Sequence, residues 1–299
     1  MPTTALRYAA FTSDPSGGNP AGIVLDARDV DGTVLDDAEM QRIAADIGYA
    51  ETAFVVARAV GGDPRHSRVR YFSPIAEVPF CGHATIATAV ALAARDGIGT
   101  FDFDTPVGPI RIETTMTTTT TTTADGLVSA AFTSVEPEAR EIDEAVLDAL
   151  LALIGSTRED LNPDFEPRLS FAGNWHPVVV FATREKFDGF TFDPTAVRQL
   201  MDQQGWAGTV TTLFAISGNE FEARNLFPVG VITEDPATGS AAASVGGYLR
   251  ALGYLPELDR APGRILIHQG AHVGRPSLLT VDIPPTGGII VSGTAVEIV

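Results

Sequence analysis

Gly18-Asn19-Pro20-Ala21-Gly22-Ile23-Val24-Leu25 has a counterpart in Gly173-Asn174-Trp175-His176-Pro177-Val178-Val179-Val180. Downstream of each copy lies a glycine that opens an alanine-rich stretch, in Phe80-Cys81-Gly82-His83-Ala84-Thr85 and in Ala237-Thr238-Gly239-Ser240-Ala241-Ala242. Pro20 to Gly82 is 62 residues, and Pro177 to Gly239 is also 62. Agreement in both local chemistry and spacing implies two pseudo-equivalent domains, each carrying one glycine-started helix. A cleft between such halves would aim two helix N-termini at one ligand, so an enzyme site between domains is the leading expectation.

Working outward, Gly82–Asp96 is almost wholly apolar and is polar only at His83, Thr85 and Thr88 near its start. A helix apolar on all sides is buried on all sides. The same holds for residues 239–252, where Ala241, Ala242, Ala243, Ser244, Gly246 and Gly247 permit close strand packing. Each half is therefore expected to wrap strands around a central helix. Residues 6–11, 22–25, 51–56 and 67–71 read as strands, and 13–22 as a Gly/Pro loop. Residues 36–44, with acids in the first turn, read as a helix. Residues 107–113 and 127–132 should pair as strands, and the threonine run 117–123 between them reads as an exposed connection near the domain boundary. Residues 138–154 and 194–203 read as helices. Residues 289–299 alternate as a strand that must join one of the two sheets. These readings divide the chain into an N-terminal domain, 1–124, completed by the strand 289–299, and a C-terminal domain, 125–288.

The length of 299 residues accommodates two ordinary domains, and an apolar share of 44% supports proper cores. A formal net charge of −18 repels phosphate backbones and anionic bilayers, which argues against nucleic-acid or membrane partners. It does not oppose a small anionic substrate, which a local cluster of N–H groups can hold. Cys81 is the single cysteine, so no intramolecular disulfide forms and a reducing cytoplasm fits best. Arg7 interrupts the first residues, so no secretory signal is read there. No window reaches the roughly 18 uninterrupted apolar residues of a membrane span. Lys186, the only lysine, sits in Thr183-Arg184-Glu185-Lys186-Phe187-Asp188, which reads as a solvated turn and speaks against Schiff-base chemistry. There is no GxSxG, P-loop, HExxH or CxxC. His268 and His272 are four apart, but Gly270 and Gly274 argue against a metal-binding helix.

The sharpest chemistry is at the helix starts. Gly82 allows a tight turn that leaves the first N–H groups free for an anion. His83 at that mouth is a candidate for binding an anion or shuttling a proton, or else simply caps a buried helix. Cys81 is either a thiol activated by the helix dipole or an inert core residue. In Glu234-Asp235-Pro236-Ala237-Thr238-Gly239-Ser240, Asp235 either caps N–H groups or faces the ligand. Thr238, Gly239 and Ser240 again offer backbone donors. Glu51, in Gly48-Tyr49-Ala50-Glu51-Thr52-Ala53-Phe54-Val55, opens an apolar strand. Half-buried it would be a proton-shuttling carboxylate; solvated it would be an ordinary strand end.

Together these motifs resemble the phenazine-biosynthesis PhzF-like family, within the diaminopimelate epimerase-like fold. The matching stretches are Ser16-Gly17-Gly18-Asn19-Pro20-Ala21-Gly22, Ala50-Glu51-Thr52-Ala53-Phe54-Val55, Arg70-Tyr71-Phe72-Ser73-Pro74, Cys81-Gly82-His83-Ala84-Thr85, Asp235-Pro236-Ala237-Thr238-Gly239-Ser240-Ala241-Ala242, and His268-Gln269-Gly270 with Gly274-Arg275-Pro276-Ser277. The resemblance implies an α+β fold of two pseudo-symmetric domains, each a mixed β-sheet rolled around a central α-helix. It implies isomerisation without cofactor or metal, in the cleft of a protein that is often a homodimer. It assigns catalysis to Glu51, His83 and Asp235, and substrate binding to Asn19, Ser73, Gly82, Thr238, Gly239 and Ser240. Related epimerases use one cysteine at each helix start. Here the second start has no thiol, so a two-thiol epimerase is excluded. The expected function is a proton-moving isomerase on a small carboxylate-bearing substrate. An amino- or hydroxy-acid epimerase, or a catalytically idle small-molecule-binding or assembly subunit, is the alternative.

Overall fold

The structure is a computed structural model that describes residues 4–117, 126–229, 232–254 and 263–299. Of the threonine run 117–123, all but Thr117 lies outside the described residues. The chain divides into two compact units, Met1–Thr133 with Ser292–Val299, and Ser134–Val291.

In the first unit, β1 (Leu6–Ala10) pairs antiparallel with β2 (Asn19–Val24). Asn19 already lies opposite Ala10, so the strand starts before the glycine at which the sequence reading began it, and the loop ends at Gly18. Helix α1 (Asp37–Ile47) is capped by the Asp36 side chain, which accepts the Glu39 N–H. Next come β3 (Glu51–Arg58), parallel to β2, then β4 (His66–Phe72), antiparallel to β3, and the short β5 (Glu77–Val78) beside β4. Helix α2 (Gly82–Asp96) precedes β6 (Thr100–Thr105), which is parallel to β4. The antiparallel run β6, β7 (Gly108–Thr117) and β8 (Leu127–Thr133) follows. The strand at Ile290–Glu297 pairs with both β1 and β8, so the strand pairings close into a ring within this unit.

The second unit repeats the scheme. Its elements are β9 (Glu138–Glu141), α3 (Glu144–Leu153), β10 (Arg168–Phe171), β11 (Trp175–Phe181), α4 (Arg184–Gly189), α5 (Pro194–Gln204), β12 (Val210–Ser217), β13 (Glu220–Val229), β14 (Ile232–Asp235), α6 (Gly239–Ala251), β15 (Gly263–Gln269) and β16 (Ser277–Ile283). The strand Ile290–Glu297 is thus β17. β11 runs parallel to β12 as β2 does to β3, and β13 parallel to β15 as β4 does to β6. Pro20 lies opposite Ala9, and Pro177 opposite Leu169. Gly82 and Gly239 are the first residues of the two central helices. The repeated spacing therefore measures the same path through two copies of one topology.

The central helices are buried because they have little else to offer water. Every residue of α2 from His83 to Ala93 is buried, and α2 packs on β1, β2, β3, β7 and β8. Helix α6 packs on β9, β10, β11 and β16. A Cβ on Gly246 would sit 2.7 Å from the Ile289 Cγ2, and one on Gly247 would sit 2.5 Å from the Pro137 Cβ. Small residues there are a condition of close packing. Outside the sheets, Met40 and Ala44 of α1 join Val24, Phe54 and Phe72, while α3, α4 and α5 cover a second core around Phe181 and Phe187.

Three local expectations are corrected. Residues 138–141 form β9, not the first turn of a helix. Glu141 pairs with Arg168 and Glu138 with Phe171, the Arg140 guanidinium stacks 3.9 Å over the Trp175 ring, and α3 begins only after Asp143 caps it. Strand pairing outcompetes the weak helical preference of that short acidic segment. Residues 126–133, read as part of the second domain, fall in the first unit because β8 pairs with β7. The Lys186 segment is helix α4, capped by Thr183, and Lys186 Nζ lies 3.1 Å from Asp160. Among the described residues, no helix is long and apolar enough to cross a membrane.

Candidate active site

Glu51 is the first residue of β3, opposite Ala21 of β2. Cys81 is the N-cap of α2, in extended conformation and making no side-chain capping hydrogen bond. Helices α1, α3 and α5 each start under an aspartate that accepts their N–H groups. α2 and α6 start without such a cap. Their first-turn N–H groups thus meet no side-chain acceptor of this kind, the condition for anion binding. Thr85 secures the start of α2 by donating to the Cys81 carbonyl at 2.7 Å, which leaves the Tyr71 hydroxyl to donate to Thr85, also at 2.7 Å. Burial, and secondarily the neighbouring Cys81, push the Tyr71 phenol up, so it remains a neutral donor.

His83, buried on α2, has its pKa pushed down to about 3 by burial, so the ring is neutral at neutral pH. The Asn19 amide nitrogen lies 3.1 Å from His83 Nδ1. With the amide donating, Nδ1 is the acceptor and Nε2 carries the proton. Nε2 lies 3.4 Å from Glu51 Oε2, and the Glu51 side chain is only 15% exposed. The Cys81 thiol donates to the same carboxylate oxygen at 3.5 Å and lies 3.4 and 3.7 Å from the two ring nitrogens. The fold thus brings Asn19, Glu51, Cys81 and His83 into one cluster. Glu51 is no solvated strand end, and Cys81, though buried, is in contact with both ionisable neighbours. Such a carboxylate can take up and return a proton while a neutral imidazole holds its oxygen. The donor atoms of Glu51, Cys81 and His83 all lie within 4.8 Å of one another, close enough for one metal ion to bridge.

Ser73 uses its hydroxyl in its own turn: it donates to the Ala76 carbonyl at 2.9 Å and accepts the Ala76 N–H at 3.1 Å. In the second unit, Asp235 accepts the Thr238 hydroxyl at 2.6 Å. Gln269 braces this turn, donating to the Asp235 carbonyl at 2.6 Å and accepting the Thr238 N–H at 3.2 Å. Gly239 is buried, and Ser240 half-buried, at the start of α6. Gln269 was not singled out from sequence, although it stands inside the quoted His268-Gln269-Gly270.

Sequence reasoning also passed over His176. It is fully buried and accepts the Thr209 N–H at 2.9 Å through Nδ1. The Thr209 and Thr211 hydroxyls both donate to the side-chain oxygen Oδ1 of Asn225, at 2.8 and 2.7 Å, and Asn225 pairs with Asp235 across β13 and β14. The signal was available: His176 precedes Pro177 as Asn19 precedes Pro20. The first unit places Glu51, Cys81 and His83 at its central helix start, whereas the second surrounds Asp235 with neutral hydroxyls and amides.

Burial pushes the His176 pKa down to about 4, the Thr209 hydrogen bond opposing it. An unfolded histidine takes up its proton near pH ~6.5. Between that value and about 4 the unfolded chain therefore binds a proton that folded His176 refuses. Stability is complete above the upper limit and falls as pH drops through the window. Urea unfolding midpoints should decline over this range, and His176→Asn should make the decline shallower. An unchanged slope would count against the neutral buried ring.

The remaining histidines serve ion pairs. His268 on β15 lies 2.6 Å from Glu220, and His272 lies 3.2 Å from Asp188. Asp188, Glu222 and His272 form a second group of metal-type donors, but the Arg184 guanidinium occupies it, 2.7 Å from Glu222. Gly270 and Gly274 are both left-handed, so no helix carries His268 and His272 together.

The family model for phenazine biosynthesis-like proteins matches residues 8–299. Among curated relatives, the uncharacterized isomerase YddE of Escherichia coli K12 is 30% identical over 302 residues, covering 99% of this chain and 96% of the relative. The trans-2,3-dihydro-3-hydroxyanthranilate isomerase of Pseudomonas fluorescens is 30% identical over 271 residues, covering 90% and 86%. Among solved structures, a PhzF-family phenazine biosynthesis protein of Bacillus anthracis matches at a TM-score of 0.81 and 24% identity, covering 99% of this chain and 96% of that one. A hydroxyproline epimerase of Agrobacterium vitis, solved with trans-4-hydroxy-L-proline, shares the fold at a TM-score of 0.61 and 12% identity, covering 99% and 90%.

Proposed function

From a chain that belongs to the phenazine biosynthesis-like family and is an isomerase of the PhzF type, we infer that Glu51 and His83 move a proton on a small carboxylate-bearing substrate, without metal or organic cofactor. The observation that carries this reading is the contact of the Glu51 carboxylate with His83 and Cys81 beside the uncapped start of α2. Backbone N–H groups of Gly82 and His83 hold the substrate carboxylate. Ionised Glu51 takes a proton from a substrate carbon and delivers it to another position. The His83 Nε2–H steadies the carboxylate oxygen, and Asn19 fixes the tautomer that makes this possible. Asp235, Thr238, Gly239 and Ser240 are proposed to bind the same substrate from the second unit, with Asp235 as a further carboxylate in turnover. Ser73 binds the substrate through the backbone of its turn. A homodimer in a reducing cytoplasm completes the proposal.

Epimerisation of an amino or hydroxy acid is the second reading, supported by the structural likeness to the hydroxyproline epimerase. Isotope exchange separates the two. The enzyme is incubated in deuterated water with trans-2,3-dihydro-3-hydroxyanthranilate, the compound in the name of the Pseudomonas fluorescens relative, and separately with both enantiomers of proline and of hydroxyproline. Bond migration with transfer of hydrogen between carbons supports the isomerase. Inversion with deuterium at the α-carbon supports the epimerase. Turnover of either kind that persists undiminished in Glu51→Gln would refute the role of Glu51.

A further inference from the structure

We propose that Glu51, Cys81 and His83 form a three-ligand site for a thiophilic divalent metal ion, zinc above all, and that metal bound there switches isomerisation off. The three donor types are those of protein zinc sites, and three protein ligands leave a fourth position open. A tetrahedral zinc with ordinary bond lengths to sulfur, nitrogen and oxygen separates its ligand atoms by about 3.4–3.6 Å. Here Cys81 Sγ to His83 Nε2 is 3.7 Å, Cys81 Sγ to Glu51 Oε2 is 3.5 Å, and His83 Nε2 to Glu51 Oε2 is 3.4 Å. These three separations match the edges of one tetrahedral face; because Cys81 Sγ also lies 3.4 Å from Nδ1, the imidazole must turn to aim the Nε2 lone pair at the metal.

Charge fits as well. A thiolate, a carboxylate and a neutral imidazole together neutralise a dication, and the thiolate selects zinc over magnesium or calcium. Binding releases the thiol proton, so affinity rises with pH. Nε2 can ligate only if the proton moves to Nδ1. The Asn19 amide lies against Nδ1 at 3.1 Å, and a half-turn of that amide presents its carbonyl oxygen to accept the Nδ1–H. Histidine ligands are commonly oriented by such an acceptor.

The site itself stands on the donor geometry. The loss of turnover rests on the proton-transfer role proposed above, since the metal would occupy the carboxylate that Glu51 needs and displace the Nε2–H with which His83 steadies it.

Cobalt(II) is the probe, because a thiolate–cobalt bond gives a charge-transfer absorption and Cys81 is the only thiol in the chain. Titration of the intact protein should develop this band to one equivalent, and zinc should displace it. Glu51→Gln and His83→Gln should each weaken cobalt binding by at least ~10-fold. Absence of the band, or a band with the same midpoint in both variants, would overturn the site. Should a variant not fold, X-ray absorption of the zinc-loaded wild type decides: one sulfur with two lighter protein ligands supports it, and a shell without sulfur overturns it. In the activity assay, zinc should lower turnover and a chelator restore it; turnover unaffected at saturating zinc would overturn the switch. The cobalt spectrum needs no substrate, so its failure is distinct from failure of the isomerase reading.

Discussion

Glu51→Gln is expected to lower kcat by about 10²–10⁴-fold, the usual contribution of a positioned acid/base group, while the protein stays folded. Glutamine keeps the length and planarity of the side chain and can still meet His83 and Cys81 at their present separations of 3.4 and 3.5 Å. It cannot accept and return a proton. Glu51 also sits at the end of β3, where the backbone pairing with Ala21 holds it whatever its side chain. Cys81→Ala should cost far less. One thiol cannot run a two-thiol exchange, and the second helix start offers Thr238 in its place. Steady-state kinetics with far-UV circular dichroism on both variants checks the pair. Full activity in Glu51→Gln, or a dead but folded Cys81→Ala, would transfer the chemistry to the thiol.

The second large effect is structural. Gly270→Ala should destabilise the second unit by about 2–5 kcal/mol, combining left-handed strain with overpacking. Gly270 has φ 81°, and an added Cβ would strike two backbone oxygens, that of Arg275 and that of Pro236 at 2.5 Å. Neither can rotate away as a side chain would. Pro236 follows Asp235 directly, and Gln269 clamps the Asp235–Thr238 turn, so the displacement reaches the proposed substrate-binding residues. Gly287 is the control: its φ is also 81°, yet nothing lies within 4 Å of an added Cβ. Gly287→Ala should cost only the conformational penalty, about 1 kcal/mol. Urea unfolding of the two variants isolates the clash as their difference. Equal losses would mean that the turn yields freely.

What could be read along the chain was whatever local composition encodes. The starts of α2 and α6 follow from a glycine ahead of an unbroken run of small apolar residues, and the helix at α1 follows from Asp36 and the acids after it. The equal spacing from Pro20 to Gly82 and from Pro177 to Gly239 gave the duplicated topology, because an insertion inside a closed sheet would disturb every pairing after it. Residues 138–141 were misread for the opposite reason. Their acidic run favours the first turn of a helix only weakly, and the partner that makes them a strand is β10, some thirty residues onward.

The cluster itself needed tertiary structure. Asn19 and His83 are 64 positions apart, and Cys81 and Glu51 are 30 apart. Nothing in either segment alone says that an amide fixes the tautomer of an imidazole, or that a thiol shares an oxygen with it. The same holds for His176, whose neutral state follows from complete burial against Thr209. Helix starts, apolar faces and the repeat are short-range properties of the chain, and the sequence by itself determined them. Protonation states and the meeting of Glu51, Cys81 and His83 depend on desolvation and on distances across strands, and only the folded sheet around its buried helix decided those.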